Sequence, residues 1–176
     1  DLTKCAGFFG SLSFVRFTAT SGASSFIDLI AARVHEITLI GLAIDPAVAF
    51  VDSRIQLDEL QSENELVVVA DGLYTNSGEG LHRFVDPVDG EVYLYSQFEV
   101  PDSRRVFAVF EQPDLKAEFT FTITAPEAWQ VVSNSPTPTP QPTGDGAATW
   151  SFSPTPRISS YITALIAGPY AATFSE

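Results

Sequence analysis

The chain of 176 residues is long enough for one domain with a buried core, and its hydrophobic fraction of 45% favours a folded protein over a disordered one. It carries 9 Lys and Arg against 22 Asp and Glu, which gives a formal net charge of -13. This acidity argues against nucleic-acid binding, which requires a basic surface, and is compatible with a cationic ligand.

Apolar runs and cysteine content restrict the cellular setting. The runs 66–70 and 158–170 are shorter than the ~20 residues of a membrane helix or are interrupted, so we expect no membrane segment. Cys5 is the one cysteine and cannot form an internal disulfide, which favours a reducing, cytoplasmic compartment. Neither an initiator Met nor a signal peptide is visible, and we expect the sequence to be a piece of a longer protein.

The first half of the chain predicts short strands separated by turns. Gly41 predicts a turn or bulge, and the continuous apolar run 66–70 predicts a fully buried strand. The run 26–30 fits a short strand or a helical turn, and 71–80 predicts a long loop. β-Branched and aromatic residues predict strands in four runs: 12–20, 34–44, 55–58 and 66–70.

The second half begins with a hairpin signal. Pro87-Val88-Asp89-Gly90 predicts a turn between arms at 81–85 and 91–100. The Pro-rich run 135–146 predicts an extended surface loop. Further strands are predicted at 105–110, 119–124, 129–133, 149–152 and 158–167.

This pattern of elements determines the expected fold class. Roughly ten short strands with regular turn signals, and no long amphipathic helix, predict an all-β sandwich or open barrel. The length favours a single domain over residues 1–176.

The second arm of the hairpin is the most polar strand of the sequence. Gln97 and Glu99 are two residues apart, so an extended chain directs both side chains to one face, together with Tyr93 and Tyr95. Such a pair fits a solvated sheet face. It also fits a polar patch lining a cleft, where Glu99 holds a ligand ammonium by a charge-assisted hydrogen bond and Gln97 is a second, neutral acceptor.

The histidines do not predict a metal site. His35-Glu36 begins like the zinc motif H-E-x-x-H, but Leu39 stands where the second histidine belongs. His82, the other histidine, is distant in sequence, so we expect both to be structural and the segment to bind no metal. Nucleophile elbows, Walker loops and dinucleotide-binding motifs do not occur in the sequence.

Two charged runs after the hairpin predict architecture. Arg104 and Arg105 point to opposite faces if they lie on a strand, so at least one of them is structural. The run 111–114 predicts a turn entering a short helical segment. Three acids near the arginines are candidate partners: Asp102, Glu111 and Asp114.

Several of these residues belong to an ordered series of motifs. The series consists of Gln97-Phe98-Glu99, Arg104-Arg105, Phe110-Glu111-Gln112-Pro113-Asp114, Lys116-Ala117-Glu118-Phe119 and the run 129–134. Together with the closing run ISSYITALIAGPY at 158–170, it resembles the N-terminal domain of the M1 family of zinc aminopeptidases, the aminopeptidase N type. The resemblance covers most of the chain from Val34 onward.

The resemblance implies a saddle-shaped β-sandwich, in agreement with the predicted strands. It also implies that Gln97 and Glu99 project into an active site and help to bind the free α-amine of a peptide substrate. The zinc ion, its ligands and the catalytic base are implied to belong to a further domain, whose motifs G-[AG]-M-E-N and H-E-x-x-H do not occur here. We therefore expect this segment alone to be inactive and to bind no zinc.

A different class of protein remains open as an alternative. A β-sandwich that serves as a non-catalytic binding or scaffold module would show the same strand pattern. A surface adhesin is a third option, which the missing signal peptide disfavours. The parent sequence beyond Glu176 distinguishes the enzyme from the module.

Overall fold

Strands make up most of the regular structure. The computed structural model describes residues 1–3 and 7–173, of which 47% lie in strands and 6% in helices. The all-β prediction is confirmed, with fourteen strands among these residues rather than about ten, because several strands are only two to four residues long. The strands are β1 (Phe8–Thr18), β2 (Ser25–Asp28), β3 (Arg33–Leu39), β4 (Leu42–Ile44), β5 (Phe50–Val51), β6 (Arg54–Leu57), β7 (Glu63–Leu73), β8 (Gly80–Val85), β9 (Val92–Gln97), β10 (Thr122–Pro126), β11 (Gln130–Ser133), β12 (Gln141–Gly144), β13 (Ala147–Ser151) and β14 (Leu165–Gly168).

The strands form four antiparallel sheets around two hydrophobic cores. Sheet β1-β7-β3-β4 and sheet β2-β6-β5 enclose the first core, and sheets β10-β13-β12 and β11-β14-β9-β8 enclose the second. Burial of each large aliphatic side chain contributes about 1.5–3 kcal/mol. The first core includes Ile27, Ile37, Ile55, Leu57, Leu66 and Val68, and the second includes Leu81, Leu94, Ile123, Val131, Trp150 and Leu165.

The segment 98–110 runs between the two cores. Phe98 and Val106 are buried in the second core, whereas Ala108 is buried in the first and Phe110 packs against it. The predicted strand at 105–110 does not form: Ser103–Arg105 is a 3-10 helix, and a single bridge joins Val109 to Asp28.

β1 and β7 pair over their whole lengths, from Phe8 opposite Leu73 to Thr18 opposite Glu63. The prediction of a fully buried strand at 66–70 is wrong in one respect. Leu66, Val68 and Ala70 are buried, but the alternate residues are only partly covered, because one face of the sheet packs on the core. β7 also extends to Leu73, so the predicted loop at 71–80 begins later than expected.

Tight turns set the register of two hairpins. Ile40 and Gly41 have φ values of 51° and 74° and join β3 to β4, as a two-residue hairpin turn requires. The predicted hairpin at Pro87–Gly90 is confirmed, with β8 paired to β9 and Asp86 N–H donating to Glu91 O at 2.9 Å. The second arm ends at Gln97 and not at 100.

The remaining strands of the second half are shifted from their predicted bounds, whereas the loop predicted at 135–146 is wrong in part. β10, β11 and β13 lie within or beside the predicted runs, while the Pro-rich run contributes β12, which pairs with β13. The run 158–167 becomes a strand only from Leu165, after the 3-10 helix Ser160–Ile162. The one α-helix among the described residues is α1 (Pro46–Ala49). Asp45 is its N-cap, and its Oδ1 accepts from Ala47 N–H at 2.9 Å.

Within the described part of the chain, no helix is long and apolar enough to cross a membrane. Cys5 lies outside the described residues.

Candidate functional site

The two predicted site residues flank a buried phenylalanine at the end of β9. Gln97 is the last residue of the strand, and Glu99 lies in the turn that follows. Phe98 between them is only 3% exposed and packs in the second core. Both polar side chains are exposed, and Glu99 is held by a turn and not by the strand alternation that the prediction assumed.

Gln97 and Glu99 are joined by a hydrogen bond. The backbone N–H of Glu99 donates to Oε1 of Gln97 at 2.6 Å. The Glu99 carboxylate makes no hydrogen bond or ion pair within residues 1–3 and 7–173. An exposed carboxylate without a protein partner is available to a cationic group, and the adjacent amide fixes the backbone that carries it.

The turn after Phe98 is closed by local contacts. Asp102 N–H donates to Phe98 O at 3.1 Å, and the Val100–Pro101 peptide bond is cis. Arg105 Nε donates to Asp102 Oδ1 at 2.6 Å, and its Nη2 donates to Glu79 Oε2 at 3.1 Å. These contacts tie the turn to the residues that precede β8.

Gly80, the first residue of β8, makes room for Arg105. Its φ is +62°, and a Cβ at this position would lie 2.8 Å from the Cβ and the Cδ of Arg105. A side chain here would meet both backbone strain and a steric clash. Glycine thus permits the close packing of the arginine beneath the strand pair that presents Gln97.

Glu111 connects the turn to a distant part of the chain. Ser103 Oγ lies 2.6 Å from each Glu111 carboxylate oxygen, and Arg104 N–H donates to Oε2 at 2.8 Å. Ser160 Oγ donates to Oε1 at 2.8 Å. Of the turn and short helical segment predicted at 111–114, only the turn forms, at residues 113–114. The sequence contained no signal for the contact with Ser160.

The two arginines have different partners. Of the three candidate acids, Asp102 pairs with Arg105. Arg104 donates from Nε to Pro101 O at 3.1 Å, and its Nη1 lies 3.8 Å from Asp28 Oδ1, so its guanidinium contacts neither Glu111 nor Asp114.

The histidines lie on separate sheets and have separate partners. His35 Nε2 is 2.6 Å from Asp71 Oδ2. His82 Nδ1 accepts from Gly78 N–H at 2.9 Å, and its ring stacks on Tyr95 with centroids 4.7 Å apart. The described residues contain no group of three or more His, Cys, Asp or Glu that could hold a metal ion.

Two tyrosines that pack against each other, one on β9 and one after β14, have a raised pKa. Desolvation and the Asp89 carboxylate, 3.2 Å from the Tyr93 hydroxyl, raise the pKa of Tyr93. Burial raises the pKa of Tyr170, whose hydroxyl donates to Leu94 O at 3.3 Å. Both phenols therefore stay neutral to a higher pH than an unperturbed tyrosine.

Sequence comparisons agree with this architecture. The profile of the Peptidase M1 N-terminal domain matches residues 43–162, a range that contains Gln97, Glu99 and Glu111. Aminopeptidase N of Streptomyces lividans is 61% identical over 179 residues, which cover 99% of this chain and 20% of that protein. Aminopeptidase N of Acetobacter pasteurianus is 43% identical over 75 residues, which cover 43% of this chain and 21% of that protein.

A plant relative shows the same partial coverage. Aminopeptidase M1-C of Oryza sativa subsp. japonica is 28% identical over 182 residues, or 96% of this chain and 20% of that protein. The matched part of the chain thus spans about a fifth of the length of each of these relatives. On the profile match and the identity to the Streptomyces lividans protein, the chain belongs to the family of peptidase M1 N-terminal domains.

Proposed function

We propose that residues 1–176 form the substrate-anchoring N-terminal domain of a zinc aminopeptidase that removes N-terminal amino acids from peptides. In this proposal Glu99, with Gln97 beside it, binds the free α-amine of the peptide. The observation that carries it is the exposed Glu99 carboxylate, which has no partner among the described residues while its backbone is fixed by Gln97.

The geometry suits an ammonium ligand. A protonated amine has three N–H donors, and Glu99 offers two carboxylate oxygens for a charge-assisted hydrogen bond. The Gln97 carbonyl oxygen has a second lone pair besides the one that accepts from Glu99 N–H, so it can serve as a neutral acceptor. Removal of a hydrogen bond to a charged group costs roughly 1.5–3 kcal/mol.

The catalytic zinc of the proposed enzyme does not fit the residues that the structure describes. His35 and His82 bind other partners on separate sheets, and the described residues hold no suitable cluster of ligands. We therefore assign the zinc and its chemistry to the rest of the parent polypeptide, which also supplies the domain that completes the site. The proposal places the parent enzyme in the cytoplasm, in line with a single cysteine in 176 residues.

The role of Glu99 can be tested in the full-length parent enzyme with two inhibitors, one with a free α-amine and one whose α-amine is acetylated. An amino acid amide with a free α-amine should inhibit the wild-type enzyme more strongly than its N-acetyl derivative. Glu99→Ala should remove most of this preference and lower kcat/KM roughly tenfold or more.

A matched control uses another exposed carboxylate. Glu127→Ala, in the turn before β11, should leave both the preference and kcat/KM unchanged. If Glu99→Ala keeps the wild-type preference for the free amine, Glu99 does not bind the α-amine.

The parent coding sequence decides between this enzyme and a non-catalytic β-sandwich module. The motifs G-[AG]-M-E-N and H-E-x-x-H after Glu176 support the enzyme, and unrelated sequence there supports the module.

A further inference from the structure

An open groove of about 1450 Å³ lies between β1 and the segment 116–122 that leads into β10. Aromatic side chains from both sides line it, including Phe17, Phe107, Phe119 and Phe121. These rings are only partly buried, in contrast to the closed interior of the two cores.

The β1 side of the groove is a strand edge with unpaired backbone groups. Gly10 exchanges two backbone hydrogen bonds with Asp1, at 2.9 Å and 2.7 Å. Because these groups alternate in direction along a strand, Leu12, Phe14 and Arg16 also direct their N–H and C=O away from β7. Among the described residues, no backbone hydrogen bond joins these three residues to a partner on that side.

The opposite side of the groove is a second edge of the same kind. Phe119 O and Phe121 O accept backbone hydrogen bonds from Thr155 and Phe152, at 2.9 Å each, so these residues face away from the groove. By the same alternation, the backbone groups of Glu118 and Thr120 face into it.

Residues 1–2 bridge the two edges at one end of the groove. Asp1 pairs with Gly10 on β1, and Leu2 N–H donates to Thr124 O on β10 at 2.8 Å. The gap between β1 and β10 is therefore one strand wide at this end of the groove. The amino group of Asp1 lies where a peptide nitrogen would lie in an antiparallel ladder with β1.

We propose that the groove receives a β-strand formed by the residues that precede Asp1 in the natural polypeptide. This strand would continue the antiparallel pairing of Asp1 with Gly10, so that the eighth residue before Asp1 falls opposite Thr18. It joins sheet β1-β7-β3-β4 to sheet β10-β13-β12 as one sheet. The inference does not depend on the proposed function.

The pairing also specifies which side chains of the added strand are buried. Leu2 is 7% exposed and lies opposite Phe9, which is 2% exposed, so both face the interior. Strand alternation then turns the first, third and fifth residues before Asp1 toward the aromatic side chains of the groove. We expect these three to be apolar, and the second and fourth to share the exposed face of Leu12 and Phe14.

A synthetic peptide of the eight residues that precede Asp1 in the natural gene tests the proposal. It should bind the 1–176 chain with one-to-one stoichiometry, measured by titration calorimetry. Hydrogen–deuterium exchange should show new protection at Leu12, Phe14 and Arg16, with no change at Ser13 and Val15, which already pair with β7.

Two peptide variants form a matched pair that leaves the protein unchanged. Asp at the third position before Asp1 should weaken binding roughly tenfold or more, because it places a charge among aromatic rings. Asp at the fourth position should leave affinity almost unchanged. Equal effects of the two substitutions, unchanged exchange at Leu12 and Phe14, or a dimer of the chain that the peptide fails to dissociate would overturn the proposal.

Discussion

Ser160 donates a hydrogen bond from its Oγ to Oε1 of Glu111 at 2.8 Å, although 49 residues separate the two in the sequence. The same carboxylate accepts from Ser103 Oγ and Arg104 N–H. Glu111 thus joins the 3-10 helix after the Glu99 turn to the 3-10 helix before β14. Glu111 helps to position the turn that carries Glu99, but it is not itself a residue of the candidate site.

Replacement of Glu111 should destabilise the fold. Glu111→Ala removes the acceptor of three partly buried donors, and we expect the free energy of unfolding to fall by about 3 kcal/mol. Denaturant unfolding of the 1–176 chain measures this change. The control Gln112→Ala, at an exposed position, should stay within about 0.5 kcal/mol of the wild type, and equal losses would contradict the prediction.

Gly80 should be far less replaceable than Gly78. Both have positive φ, +62° and +89°, but only at Gly80 would an added Cβ lie 2.8 Å from atoms of Arg105. Gly78→Ala should cost about 1–2 kcal/mol of unfolding free energy from backbone strain alone, and Gly80→Ala clearly more. Thermal or denaturant unfolding compares the two, and similar losses would show that Arg105 moves aside freely.

Glu99→Gln should be milder than Glu99→Ala in the full-length parent enzyme. The amide keeps an oxygen acceptor for the substrate amine but loses the negative charge, so the loss in kcat/KM should be smaller than with alanine. Steady-state kinetics with one aminoacyl substrate compare the three proteins. Equal losses for the two variants would mean that charge alone accounts for the contribution of Glu99.

Gln97→Ala should act through the backbone of Glu99. The substitution removes the 2.6 Å hydrogen bond to Glu99 N–H, and we expect about a fivefold loss in kcat/KM, equivalent to about 1 kcal/mol. Gln130→Ala, at an exposed glutamine on β11, is the control and should have no effect. Wild-type kinetics for Gln97→Ala would show that the turn holds Glu99 without this bond.

The stability of the chain should fall at alkaline pH. Burial raises the pKa of Tyr170 above 10.0, so the unfolded chain loses this proton at a lower pH than the folded chain. The stabilisation is complete below about pH 10 and is lost as the pH rises through the folded-state pKa. Unfolding between pH 8 and 11 should therefore show a smaller decline for Tyr170→Phe, and an identical decline would contradict the assignment.

Local sequence rules predicted most of the strands. The hairpin at Pro87–Gly90 depends on near neighbours and forms as predicted. The strand predicted at 119–124 also forms in part, as β10 begins at Thr122. The solvent-facing positions of Gln97 and Glu99 follow from the buried Phe98 between them. Such features are determined within a few residues.

Features that depend on distant residues were not predictable in this way. The run 105–110 has strand composition but forms no strand, since it begins in the 3-10 helix Ser103–Arg105 and pairs with Asp28 only through the single bridge at Val109. The contact of Glu111 with Ser160 joins segments that are 49 residues apart and leaves no periodic signal. The turn at Glu99 likewise depends on Asp102 N–H and Phe98 O, which strand alternation does not describe.

The segment 98–110 has a consequence for cooperativity. Since Phe98 and Val106 are buried in one core and Ala108 in the other, opening either core strains or exposes side chains that belong to a single short stretch of backbone. Local unfolding of the sheets around the first core should therefore be coupled to unfolding of the sheets around the second core. The slowest amide protons of the two sets of sheets should exchange at similar rates. The turn that bears Glu99 is then protected by the combined stability of both halves.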